Sequence, residues 1–127
     1  IELMKINFLR EIMDSLPREP QTGNIEYKRK ITHTNKKILD KRATQMLYRT
    51  IEGNGKAYYY IGVDDNGNTQ GISMFDLIIS LENLEKISNL VKLSIENIKI
   101  YKGLNQNKYI GILEIIAKNT NDSYSFI

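Results

Sequence analysis

Residues 54–73 read NGKAYYYIGVDDNGNTQGIS. Ala57 to Val63 is dense in aromatic and β-branched residues, the composition of a strand. Asp65-Asn66-Gly67 supplies a turn, because Asn and Gly tolerate positive φ at little cost. Thr69 to Ile72 reads as the returning arm of a hairpin. The alternation in Tyr58-Tyr59-Tyr60 turns Tyr59 inward and Tyr58 and Tyr60 outward.

The flanking segments extend this reading in both directions. Upstream, Asn24 to Ile31 reads as a strand, with Ile25, Tyr27 and Ile31 on one face and Glu26, Lys28 and Lys30 on the other. Lys36 to Ile51 follows as a helix whose apolar stripe is Ile38, Leu39, Ala43, Met46, Leu47 and Ile51, ended by Gly53 and Gly55. Downstream, Ser73 is an N-cap with Asp76 behind it, and the helix runs to about Val91. Lys92 to Lys102 and Lys108 to Lys118 read as strands joined by an Asn/Gly-rich turn.

Glu2 to Leu16 places Leu3, Ile6, Leu9, Ile12 and Met13 on one helical stripe, stopped by Pro17 and Pro20. The expected order is an N-terminal helix, then β-α-β-β-α-β-β, which is a two-layer α+β domain. The expected divisions are an N-terminal helix over 1–16, the α+β domain over 17–118 and a C-terminal tail or linker over 119–127. The N-terminal helix either packs on this domain or docks on another.

The chain has 127 residues and a formal net charge of +3, with a sequence pI near 9.0. One domain is the prior at this length, and mild basicity permits an anionic partner such as RNA without requiring one. There is no cysteine and a single histidine, His33, so disulfide scaffolds, thiolate zinc sites and paired-histidine metal sites are excluded. No apolar run approaches the roughly 20 residues of a membrane span, and a cytoplasmic protein with no membrane partner is expected. The chain opens on Ile1 rather than Met, so a longer parent is expected. The Ile-, Asn- and Lys-rich composition suits an A+T-rich coding sequence, as in some protists and giant viruses.

The glycines do not make a phosphate loop. No GxxxxGK[ST] occurs, and Gly53 and Gly55 follow a helix instead of opening one. No metal site and no nucleophilic triad stands out. A weak catalytic alternative rests on Glu26 and Asp64, which converge if their strands are neighbours and would then hold a divalent cation over a phosphodiester. The stronger pattern is basic. Lys28, Lys30, Lys37, Lys41, Arg42 and Arg49, with outward Tyr58 and Tyr60, form a candidate nucleic-acid surface of phosphate contacts and base stacking.

Two resemblances follow. Leu16-Pro17-Arg18-Glu19-Pro20, then Gly23 to Lys28, then Gln45-Met46, Arg49, Glu52-Gly53 and Gly55, and finally Tyr60-Ile61-Gly62-Val63 with Asp65-Asn66-Gly67 and Gly71, resemble the N-terminal domain of the "GTP-binding protein one and two" family. Those are elongation-factor-like translational GTPases. The resemblance implies a parent that binds GTP and Mg²⁺, hydrolyses GTP and acts with RNA or the ribosome. It also implies a GTPase domain of the same chain beginning shortly after Ile127. This fragment carries none of the G-domain motifs and needs no cofactor of its own, so it is expected to be a non-catalytic accessory domain.

Ile25 to Lys28 with Tyr60 to Asp65 and Gly71 is also similar to the Alba-like domain of Schlafen proteins. That implies an Alba-like sandwich that binds nucleic acid, or a metal-dependent RNase as the alternative. In the nuclease members a further carboxylate about five residues before the matched glutamate completes the site. Gln21 stands there, and Glu19 is the nearest acid.

Overall fold

The computed structural model describes residues 1–118, so the segment expected as a tail, 119–127, lies outside the described residues. After a 3₁₀ turn at Leu3–Lys5 the elements are β1 (Ile6–Ile12), β2 (Ile25–Lys28), α1 (Lys36–Glu52), β3 (Lys56–Ile61), α2 (Met74–Leu90), β4 (Leu93–Lys102) and β5 (Tyr109–Ala117). The strands form one sheet in the order β1-β4-β5-β3-β2. Both outer pairs, β1 with β4 and β2 with β3, are parallel, and the two inner pairs are antiparallel.

Both helices lie on one face of this sheet. Ala57, Tyr59 and Ile61 of β3 and Leu113 and Ile115 of β5 share a buried cluster with Ala43 and Met46 of α1 and Leu77, Leu81, Leu84 and Ile87 of α2. The result is a two-layer α+β sandwich, as the alternating pattern predicts. The Ser73 cap holds, and α1 has a cap that the sequence reading did not name. The Asn35 side chain accepts from the amide of Ile38 at the start of α1, and Ser73 Oγ accepts from the amide of Asp76 at the start of α2. Two buried polar side chains of α2 tie down the segment after β2. Ser80 Oγ accepts from the Ile31 amide at 2.9 Å, and the Asn83 amide donates to the Ile31 carbonyl at 2.7 Å.

Two expectations fail. Ile6–Ile12 is a strand where a helix was predicted. It pairs with β4 through Ile6↔Ile98, Asn7↔Lys99 and Phe8↔Ile100, with an irregularity between Phe8 and Ile12. Without β1, the ten-residue β4 would present a row of unpaired backbone groups, and covering that edge outweighs the helical spacing. The spacing of three in Ile6 and Leu9 becomes an alternation of faces.

The returning arm of the hairpin also fails to form a strand. The turn is present, closed by Gly67 N to Asp64 O at 2.9 Å, but Ile72 makes only an isolated bridge to Tyr109. The neighbours of β3 are β2 and β5. A nine-residue β5 rich in isoleucine offers β3 more pairing and burial than the four residues from Thr69 to Ile72.

The second face of the sheet is covered at one end only. There Tyr27, Val63 and Ile110 are buried beneath Met13 and Leu16, with Tyr60 and Tyr101 packed alongside. The covering segment is a strap, residues 13–22. Its Leu16 amide donates to Gly67 O and its Glu19 amide to Asp65 O, both at 2.9 Å, and Thr69 Oγ1 donates to Met13 O at 2.8 Å.

Candidate nucleic-acid interface

The predicted basic and aromatic residues do not form one surface. β2 pairs with β3 in the register Glu26↔Tyr59 and Lys28↔Ile61, so Glu26 and Lys28 stand on the helix side. Tyr58 and Tyr60 stand on the opposite face, half-buried. Lys37 and Lys41 are exposed on α1, one turn apart. The lysines of α1 and the tyrosines of β3 are thus separated by the sheet itself.

Arg49 and Glu26 have a structural task. Arg49 is 4% exposed and Glu26 1%. Arg49 Nε donates to Glu26 Oε1 at 2.9 Å, its Nη1 to Gly23 O at 2.9 Å and its Nη2 to Pro20 O at 3.0 Å. Lys28 Nζ lies 3.1 Å from Glu26 Oε2. One guanidinium therefore ties α1 to β2 and to the end of the strap, and it is withdrawn from the basic surface predicted for it. The helical period through Ala43, Met46 and Thr50 carries Arg49 inward, which is the signal that marks it in the sequence.

Lys30 faces Asp76 of α2 at 3.8 Å. Arg42 is half-buried, and its Nε is buried with no partner among the described residues, as is the Tyr59 hydroxyl. Burial pushes the Tyr59 phenol far above its ordinary range, with nearby Glu26 adding to the effect.

The carboxylates of the alternative catalytic reading have separate partners. Asp64 accepts from the amides of Asn66 and Asn68 at 3.0 and 3.1 Å and from the Asn68 side chain at 3.0 Å. Those bonds, the Asn68 side chain first, hold its carboxyl below the usual range. Asp64 organises its own loop while Glu26 faces Arg49 and Lys28. Glu19, the acid nearest in sequence to Gln21, lies beside Glu26 and accepts from the Tyr27 amide at 2.6 Å. Burial, and then the neighbouring Glu26 charge, raise its carboxyl above the ordinary value. Among the described residues no group of three or more His, Cys, Asp or Glu is arranged to hold a metal ion.

The uncovered end of the second face forms a cleft of ≈ 630 Å³. Tyr58 and Ile112 contribute apolar surface from β3 and β5, Asn7 comes from β1, and Asn97, Lys99 and Glu114 add polar groups. β4 is irregular between Glu96 and Lys99, and Asn97 has φ 51°, in the left-handed region. At this bulge the Asn97 amide donates to Glu114 Oε2. Lys5 pairs with Glu96 at 2.9 Å and Lys56 faces Glu114 at 3.6 Å. Of the two lysines lining the cleft, Lys5 is paired and Lys99 forms no ion pair among the described residues.

The chain is similar to GTP-binding protein 2. It is 40% identical over 76 residues to the mouse and human proteins of that name. The match covers 60% of this chain and 13% of those proteins, so the chain spans only a small part of their length. It is also 33% identical over 121 residues to an uncharacterized protein of Acanthamoeba polyphaga mimivirus, covering 92% of this chain and 64% of that protein. No family model and no solved structure matches. The similarity links the chain to a GTP-binding protein through a region that carries no phosphate-loop motif here. Among the described residues no helix is long and apolar enough to cross a membrane.

Proposed function

We propose that this chain is an accessory domain of a translation-factor-like GTP-binding protein or of a shorter relative, and that it contacts RNA or the ribosome. The observation that carries this reading is the 40% identity to GTP-binding protein 2, confined to 13% of that protein. The chain's own lack of a phosphate loop fits a part that serves the GTPase without performing the hydrolysis. In the parent, GTP and Mg²⁺ would be held elsewhere.

The mimivirus relative supports a separable unit. The 121 matched residues are 64% of that protein, which leaves about 70 residues outside the match. That is shorter than a typical domain of roughly 100–150 residues. A binding role that does not need an attached GTPase fits this length. A net charge of +3 and the exposed Lys37 and Lys41 favour a polyanion as the partner, and an Alba-like nucleic-acid-binding role in the cytoplasm fits the same arrangement.

The test is to titrate the domain with tRNA, with an unstructured RNA and with GTP, following fluorescence anisotropy at low and moderate salt. The expected result is salt-sensitive RNA binding and no saturable response to GTP. A flat RNA titration at low salt overturns the RNA contact, and saturable GTP binding overturns the accessory role.

A further inference from the structure

We infer that the cleft on the helix-free face is a binding site for one nucleotide unit, a base stacked on Tyr58 with its phosphate at Lys99. Three independent features meet there. The first is the cavity, whose ≈ 630 Å³ falls in the range of ligand pockets, about 300–1,000 Å³. The second is its chemistry: an aromatic ring and Ile112 as a flat apolar floor, and one lysine at the rim without an acidic partner among the described residues. The third is the bulge in β4. It places Asn97 at φ 51° and turns its amide onto the Glu114 carboxylate inside the cleft. Bulges of this kind re-aim side chains beside functional sites.

The polar groups define the ligand further. Glu114 is a carboxylate acceptor whose two oxygens, one facing Lys56 and one accepting from Asn97, retain further lone-pair capacity. Asn7 and Asn97 bring amide groups to the same cleft. A base can donate to Glu114 through an exocyclic amino group or, as uracil does, through a ring N–H. Tyr60 is held in the small cluster with Tyr27, ring centroids 5.4 Å apart, and is not the stacking residue. The lysines of α1, on the other layer, contribute only general attraction for phosphate.

The nucleotide unit is either a residue within a single RNA strand or a free mononucleotide. The first source rests on the RNA-contact reading above and the second does not. The experiment is a two-dimensional NMR titration of the ¹⁵N-labelled domain with oligo(C), oligo(U), CMP and inorganic phosphate. Wild type is compared with Tyr58→Ala, Tyr58→Phe and Lys99→Glu. The expected result is a set of shifts centred on Tyr58, Asn97, Lys99 and Ile112 with oligo(C) and with oligo(U), and none with phosphate alone. Shifts there with CMP as well would identify a free-nucleotide site, and shifts with the oligonucleotides only would identify a strand site.

Loss of the ring in Tyr58→Ala should weaken binding by roughly 5- to 100-fold, and Tyr58→Phe should restore it. Lys99→Glu, an exposed change, provides a variant that leaves the core intact. RNA shifts confined to α1 would overturn the cleft and leave the RNA reading standing. No shift with any nucleotide would overturn both.

Discussion

Arg49 is the residue on which two elements and the strap depend, so the cost of losing it is specific. Arg49→Met leaves Glu26 buried with Lys28 as its remaining cation and strips two carbonyls, of Gly23 and Pro20, of their donor. Breaking a buried pair from one side costs about 3–5 kcal/mol. The double change Glu26→Leu with Arg49→Leu should recover much of that, because the only charge left without its partner is Lys28, which reaches solvent. Urea denaturation of the three proteins measures both quantities, and a single-variant loss under about 1 kcal/mol would contradict the role given to Arg49. Glu19 makes the opposite case. Its folded-state carboxyl is raised above the ordinary 4.5, so the stability linked to its protonated form is fully present below pH 4.5. It is lost as pH rises through the elevated folded value, and at neutral pH the ionised Glu19 is a liability beside Glu26. Glu19→Gln keeps an oxygen for the Tyr27 amide and removes the charge. Its denaturation midpoint at pH 7 should equal or exceed wild type, and the difference should shrink toward pH 4. A variant weaker than wild type at pH 7 and equal to it at pH 4 would reverse the assignment.

At the level of elements, the strap is the part most exposed to a single backbone change. Gly67 has φ +88°, and a Cβ there would lie 2.0 Å from the Leu16 carbonyl oxygen and 2.6 Å from that of Pro17. Both the dihedral and the contact exclude any side chain. Gly67→Ala should therefore release the strap from the 64–69 loop while leaving the two-helix layer folded. The readout is limited proteolysis: faster cleavage between residues 13 and 22, with α1 and α2 still protected. Unchanged protection of the strap would show that the loop is not its anchor. The elements themselves were legible where local signals agreed. Ser73 and Asp76 marked the start of α2, and the alternation from Leu93 onward marked β4. β1 and the failed hairpin arm were not, because both are decided by pairing between distant segments. β1 is drawn to β4 across some ninety residues of chain, and the Thr69–Ile72 arm loses β3 to β5. Propensity and periodicity carry no information about either competition.

For the whole molecule, the sequence disclosed the basic residues and the outward tyrosines but not their separation. Alternation in β3 tells which tyrosines share a face. Which face the helices cover is set by the packing of α1 and α2 together against β3, β4 and β5, and that puts Lys37 and Lys41 on one layer and Tyr58 on the other. The same packing makes net charge and local patch separable by experiment. Lys37→Glu with Lys41→Glu takes the formal charge from +3 to −1, since each reversal changes it by two. Lys102→Glu with Lys108→Glu makes the same change at the exposed turn between β4 and β5. If α1 supplies phosphate contacts, the first pair should lower RNA affinity and flatten the plot of log affinity against log salt by about 0.7 per lost single-strand contact. The second pair should lower affinity at low salt and leave that slope nearly unchanged, because it alters the general field and removes no contact. Equal slopes in both variants would mean that α1 attracts RNA without touching it, and the contacts would have to lie on the helix-free face.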